Sequence, residues 1–300
     1  MFRLVARFCG GDGRMARQKT IILGALNIVV SPHPEGVYAD MIQAMRGKRI
    51  HARGPEWATI GTMISAEKRN LPHLWYGKIY FYTEIELGGA WLDLKARDVA
   101  SAEAVEEINI PDNLRPNMKS MRYIFDTKKH TFYFEAKNEA GERFPAGKVK
   151  AIIEKLAKTI SDKFPEVRVT VIPHHDAIEK VLNIPRMTRI FIKLERPNPD
   201  DIGTATRKLL KELEDQGASR QEISLTKSKS ADSLELNEEN TEIAEVAAQN
   251  GYVRSEGTDL DGKKMAAQTT DYPREEFVPL EDGADAMDVL FAFIRDRHGV

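Results

Sequence analysis

The sequence predicts an α+β chain, with a β-rich N-terminal half built on antiparallel hairpins and an α/β, sandwich-like C-terminal half. Three observations predict it. Period-two alternation dominates up to residue 143, and strands alternate with 3.6-period helices from about 146 onward. No apolar run approaches the roughly 18 residues that a membrane helix needs. With 300 residues, 42% of them hydrophobic and 30% charged, the chain can bury a sizeable core.

Residues 1–18 read as a disordered extension, with Met15 opening ARQKTIILGALNIVV and Cys9 the only cysteine. One cysteine excludes an internal disulfide and any cysteine-rich zinc site, and favours a reducing, cytoplasmic compartment. A β-rich domain is expected over 19–143. Residues 20–30 (TIILGALNIVV) form a continuous apolar, β-branched run, hence a buried strand ended by Ser31-Pro32-His33-Pro34. Val37, Met41 and Met45 share one face of a short helix over 36–46. Strands follow at 57–66 and 75–87, the second alternating Ile79, Phe81, Thr83 and Ile85 with Lys78, Tyr80, Tyr82 and Glu84. That pattern predicts one wet face and, at a sheet edge, pairing with a second copy of the chain. MRYIF and TFYFEAK around DTKKH make the clearest hairpin, over 121–137.

An α/β domain is expected over 144–300. Val149, Ile152, Ile153, Leu156 and Ile160 mark a helix over 148–164. Strand 167–172, helix 174–183, strand 188–194, helix 200–216, strand 221–226 and helix 238–249 follow. A polar hairpin over 252–280 and a helix over 284–296 complete the order. Residues 231–300 carry 17 acidic and 6 basic side chains, which leaves residues 1–230 net basic by 9. This asymmetry points to an anionic partner for the front and a protein partner for the acidic C-terminal segment, or to the two surfaces pairing with each other.

One hairpin offers enzymatic chemistry. Asp126 precedes the turn and Glu135-Ala136-Lys137 ends the returning strand, the residue types with which metal-dependent nucleases hold Mg²⁺ and orient water. The same alternation is common on the wet face of an ordinary antiparallel strand, and no further catalytic residue set is read. His174-His175-Asp176 opens an expected helix, where adjacent histidines point about 100° apart and cannot share an ion. No metal or cofactor is therefore assigned. There is no P-loop, G-x-G-x-x-G or G-x-S-x-G, and Asp259-Leu260-Asp261-Gly262 lacks the glutamate of a calcium loop.

The best binding candidate is the basic cluster Arg46, Lys48, Arg49, Arg53, Lys68 and Arg69, with Tyr80 and Tyr82 beside it and Trp57 interleaved. Basic side chains neutralise phosphates and aromatic rings stack on bases, so DNA or RNA is the expected partner. A solvated loop whose aromatic residues belong to the core fits the same residues.

The stretch GALNIVVSPHPEGVYADMIQAMRGKR, followed by LWYGKIYFYTEIELGGAWLDL, resembles an uncharacterised bacterial domain-of-unknown-function family, numbered 4747. The resemblance runs from about Met15 onward and carries no activity with it. In element order, YIFDTKKHTFYFEAK through VTVIPHHDAIEKVLNI, TRIFIKLERP and EISLTKS is similar to the phage-exclusion protein RexA and similar defence proteins. That likeness implies sequence-tolerant DNA binding and an antiviral or mobile-element setting. The expected function is non-enzymatic nucleic-acid binding or sensing, with a Mg-dependent nuclease or a protein-interaction subunit as alternatives.

Overall fold

The computed structural model describes residues 19–199 and 203–299, so the expected N-terminal extension and Cys9 lie outside the described residues. In chain order the elements are β1 (Lys19–Ser31), α1 (Val37–Met45), β2 (Arg49–Arg53), β3 (Glu56–Ala66) and β4 (Leu71–Thr83). They continue with a short ribbon, β5 (Leu92–Asp93) and β6 (Asp98–Val99), then α2 (Ala102–Glu106), β7 (Lys119–Asp126), β8 (Thr131–Lys137), α3 (Ala146–Lys158) and β9 (Glu166–Val171). The remainder is α4 (Ala177–Leu182), β10 (Arg186–Glu195), α5 (Thr204–Asp215), β11 (Arg220–Thr226), α6 (Glu238–Gln249), β12 (Gly251–Thr258), β13 (Lys264–Gln268), β14 (Glu275–Leu280) and α7 (Ala286–His298).

Two antiparallel sheets organise the α+β fold. The larger runs β14-β1-β8-β7-β4-β3-β2, and β9 also pairs with β1. The long β1 takes β14 along Lys19–Gly24 and β9 along Leu26–Ser31, with β8 on its other side. One face packs Leu26, Ile28, Phe81, Tyr123, Phe125, Phe132 and Phe134 against α1 and α3. The α3 stripe Val149, Ile152, Ile153 and Leu156 is fully buried there, each side chain contributing about 1.5–3 kcal/mol of apolar burial. The opposite face packs Ile21, Leu23, Leu74, Ile124 and Tyr133 against α7. The smaller sheet, β11-β10-β12-β13, packs Ile190, Ile192, Leu194 and Val253 against α4, α5 and α6.

The expected division at 143/144 does not coincide with the edge of a sheet. β9 and β14, from beyond it, complete the larger sheet, because the 13-residue β1 gives one side to β8 and has room on the other for two short strands end to end. For the same reason the expected hairpin over 252–280 ends at β13, and β14 crosses to β1. The 75–87 strand ends at Thr83 and lies between β3 and β7, so it has no free edge for a second copy. One sheet edge is β2, where Lys155 Nζ donates to the carbonyls of His51 and Ala52 at 2.8 and 3.0 Å, and the other is formed by β14 and β9. Among the described residues no helix is long and apolar enough to cross a membrane.

Candidate nucleic-acid interface

The structure divides the expected basic cluster. Arg46 and Lys48 lie in the turn after α1, and Arg49 and Arg53 lie on β2. Lys68 and Arg69 sit at the far tip of the β3–β4 hairpin, about 30 Å away along the strand from the level of Tyr80. Arg49 donates to the Tyr82 hydroxyl at 2.7 Å, pairs with Glu84 and lies over the Trp57 and Tyr82 rings. Arg115 completes this knot on Glu84 at 2.9 Å, and Arg115 and Arg49 together hold the Glu84 carboxyl below the usual carboxylate range. Arg69 pairs with Asp288 at 2.6 Å and covers Phe291. Tyr82 is buried, while Tyr80 is half-buried with its ring across Gly61, where a Cβ would meet it at 2.2 Å. Among the described residues, no ion pair involves Arg46, Lys48, Arg53 or Lys68.

The expected nuclease residues do not assemble. Asp126 is opposite Thr131 and Tyr123 is opposite Phe134, so Glu135 lies level with Arg122, four residues and about 13 Å from Asp126 along the ladder. Carboxylates that share one Mg²⁺ need oxygens about 3 Å apart. Nor is their face wet, because both side chains are 0% exposed. Asp126 Oδ1 accepts the Lys128 and Lys129 N–H groups at 2.9 Å each and so shapes the turn. Its Oδ2 is buried with no hydrogen-bond partner among the described residues. Lys137 ends β8, half-buried opposite Ile22.

A polar seam joins the two sheets. Asn27 on β1 donates to Asn250 Oδ1 at 3.1 Å, and Asn198 Nδ2 reaches Asn27 Oδ1 at 3.4 Å. The Tyr38 hydroxyl donates to Asn198 Oδ1 at 2.6 Å and lies 3.2 Å from His33 Nδ1. His130, in the hairpin turn at φ 55°, stacks on Tyr38 at 4.3 Å and meets the His33 ring edge-on at 5.1 Å.

Sequence reasoning missed the open face of the smaller sheet. Its helices cover only one side, and alternation turns Arg189, Phe191 and Lys193 of β10 and Tyr252, Arg254 and Glu256 of β12 to the other. The register places Lys193 opposite Tyr252 and Phe191 opposite Arg254, on the two central strands. The Phe191 and Tyr252 rings are therefore diagonal neighbours, 5.8 Å between centroids. With Arg189, Arg254 and Glu256 they line a depression of about 260 Å³. Arg254 pairs with Glu256 at 2.8 Å and Lys193 with Glu195 at 2.6 Å, whereas no ion pair involves Arg189 among the described residues. The legible signal was an outward aromatic residue between charges in TRIFIKL and again in GYVRSE.

A family model described as "Domain of unknown function (DUF4747)" matches residues 19–295. The chain belongs to this family. The match takes in every strand of both sheets, so the DUF4747 region includes the seam and the open face together. No curated protein matches the chain.

Proposed function

We propose that this DUF4747 chain binds single-stranded nucleic acid without turning it over, seating bases on Phe191 and Tyr252. The observation that carries the reading is that aromatic pair, half-buried on the helix-free face of a sheet whose other face is packed under three helices. Each ring keeps part of its surface on the open face beside its neighbour, and base stacking there adds about 1–3 kcal/mol per base. Arg189, Lys193 and Arg254 supply phosphate contacts around it, and Glu256 offers an acceptor for a base amino group. The cations at Arg46, Lys48 and Arg53 support a second stretch of backbone contact on the larger sheet.

The test is binding of labelled single-stranded RNA, single-stranded DNA and duplex DNA over a salt series. Affinity for single strands is expected to fall steeply with salt and to drop in the double variant Phe191→Ala/Tyr252→Ala. No retention of any nucleic acid at low salt overturns the proposal. If charge reversal at Arg46, Lys48 and Arg49 abolishes binding and the aromatic variant does not, the interface lies on the larger sheet instead. An antiviral or mobile-element setting is supported by the likeness in element order to phage-exclusion proteins. Phage plating on cells that carry the chain or its aromatic variant tests that setting.

A further inference from the structure

The sequence predicts that the histidine pair before α4 stands on a helix. It does not: His174, His175 and Asp176 form a turn, and α4 begins at Ala177. The 100° rule for neighbouring helical side chains therefore does not apply, and the two imidazole rings come within 4.1 Å, centroid to centroid. One ligand atom from each of the three side chains lies within 4.8 Å of the others. We propose that His174, His175 and Asp176 form a site for a divalent transition metal of the zinc, nickel or copper type.

The chemistry follows from the donor set. Two imidazoles and one carboxylate suit borderline cations over Mg²⁺ or Ca²⁺, which demand all-oxygen shells. Bonds of about 2.0–2.1 Å put the ligand atoms of a tetrahedral ion about 3.3 Å apart, so rotamer adjustments of about 1.5 Å close this set. His174 Nδ1 and Asp176 Oδ1 already share a hydrogen bond. A metal ion entering between them takes the place of that shared proton, and the neutral His174 ring carries its proton on Nε2 instead. Asp176 Oδ2 stays with Lys180 Nζ at 3.0 Å, the second contact that orients a ligating carboxylate.

The backbone is prepared for the role. The His174 N–H donates to the Tyr272 carbonyl at 2.8 Å, and the Arg274 N–H to the Ile172 carbonyl at 2.9 Å. Lys180 lies 5.0 Å above the Tyr272 ring. The turn is thus pinned to the segment that carries β13 into β14, while His174 and Asp176 stay open enough to solvent for an ion to enter. Three protein ligands leave one position for water or an exogenous group.

The experiment is titration of the full chain, purified without a histidine tag, with Zn²⁺ by calorimetry and with Co²⁺ by visible absorption. One equivalent is expected to bind. His174→Ala and His175→Ala should each weaken it at least tenfold, Asp176→Asn should weaken it by less, and His51→Ala should leave it unchanged. The three ligands are surface groups, so circular dichroism of each variant should match the parent. Failure of the parent chain to bind more metal than the His174→Ala/His175→Ala double variant overturns the proposal, as does binding that neither substitution weakens.

Discussion

Arg122 and Glu135 face each other across the β7–β8 hairpin through two hydrogen bonds. The Arg122 backbone N–H donates to Oε2 at 2.7 Å and its guanidinium to Oε1 at 2.9 Å. Glu139 holds the other guanidinium nitrogen at 3.0 Å. Glu135 is thus a buried, paired carboxylate, and its chemistry is spent on the hairpin.

Removing one partner of a buried pair leaves the other uncompensated. Glu135→Ala is expected to destabilise the chain by about 3–5 kcal/mol in urea unfolding, and Glu135→Gln by less, since the amide keeps an acceptor for the backbone N–H. A variant as stable as the parent would show that the pair contributes nothing.

Burial raises the Glu135 carboxyl above its ordinary value, and the Arg122 hydrogen bonds offset only part of that. Between the unfolded and folded values the folded chain keeps a proton that the unfolded chain has lost, so rising pH favours unfolding. The contribution of Glu135 is fully present below the unfolded value and is lost as pH rises through the folded one. Urea midpoints should therefore show a component that falls as pH rises above the ordinary glutamate range and that is absent from Glu135→Gln.

At the seam, Tyr38→Phe removes the hydroxyl that donates to Asn198 and accepts from the Val30 N–H. Leaving those buried groups unpaired is expected to cost about 1–3 kcal/mol. The loss should be shared by Asn198→Ala rather than added to it, which a double-mutant cycle measures.

Phe191→Ala and Tyr252→Ala are each expected to lower single-strand affinity by about 1–3 kcal/mol, or 5- to 150-fold, with the salt slope unchanged. Arg189→Gln should instead flatten the salt slope by about one unit. A flattened slope in the aromatic variants would mean that they act through folding or charge placement.

Gly77 lies across from the bulged part of β3, where a Cβ would sit 1.8 Å from the Thr62 carbonyl oxygen. Gly77→Ala must push the two strands apart and should cost about 3 kcal/mol or more by urea unfolding. The exposed Gly88, with nothing within 4 Å of such a Cβ, is the matched control.

The element order was legible because each element carries its own period. Helix α6 spans 238–249, as its pattern reads, and the 121–137 hairpin pairs as its turn implies. Asp259 likewise forms a turn, accepting from the Asp261 and Lys263 N–H groups. The sites were less legible. Wetness of a strand face depends on what packs over it, and α7, about 150 residues further along the chain, helps to enclose the face that carries Glu135. The acidic segment partly pairs with the basic one, through Arg69–Asp288 and Lys208–Glu242.

Local periodicity in this chain thus determined which residues form strands and helices and which side of each turns inward, because backbone geometry sets those repeats residue by residue. Only the tertiary structure decided which charges are neighbours. It parted Asp126 from Glu135, sent Lys68 and Arg69 to the far end of a hairpin, and brought Phe191 against Tyr252 from 61 positions away. Strand register and cross-sheet packing join residues that no sequence interval relates, and those contacts form only when the core closes.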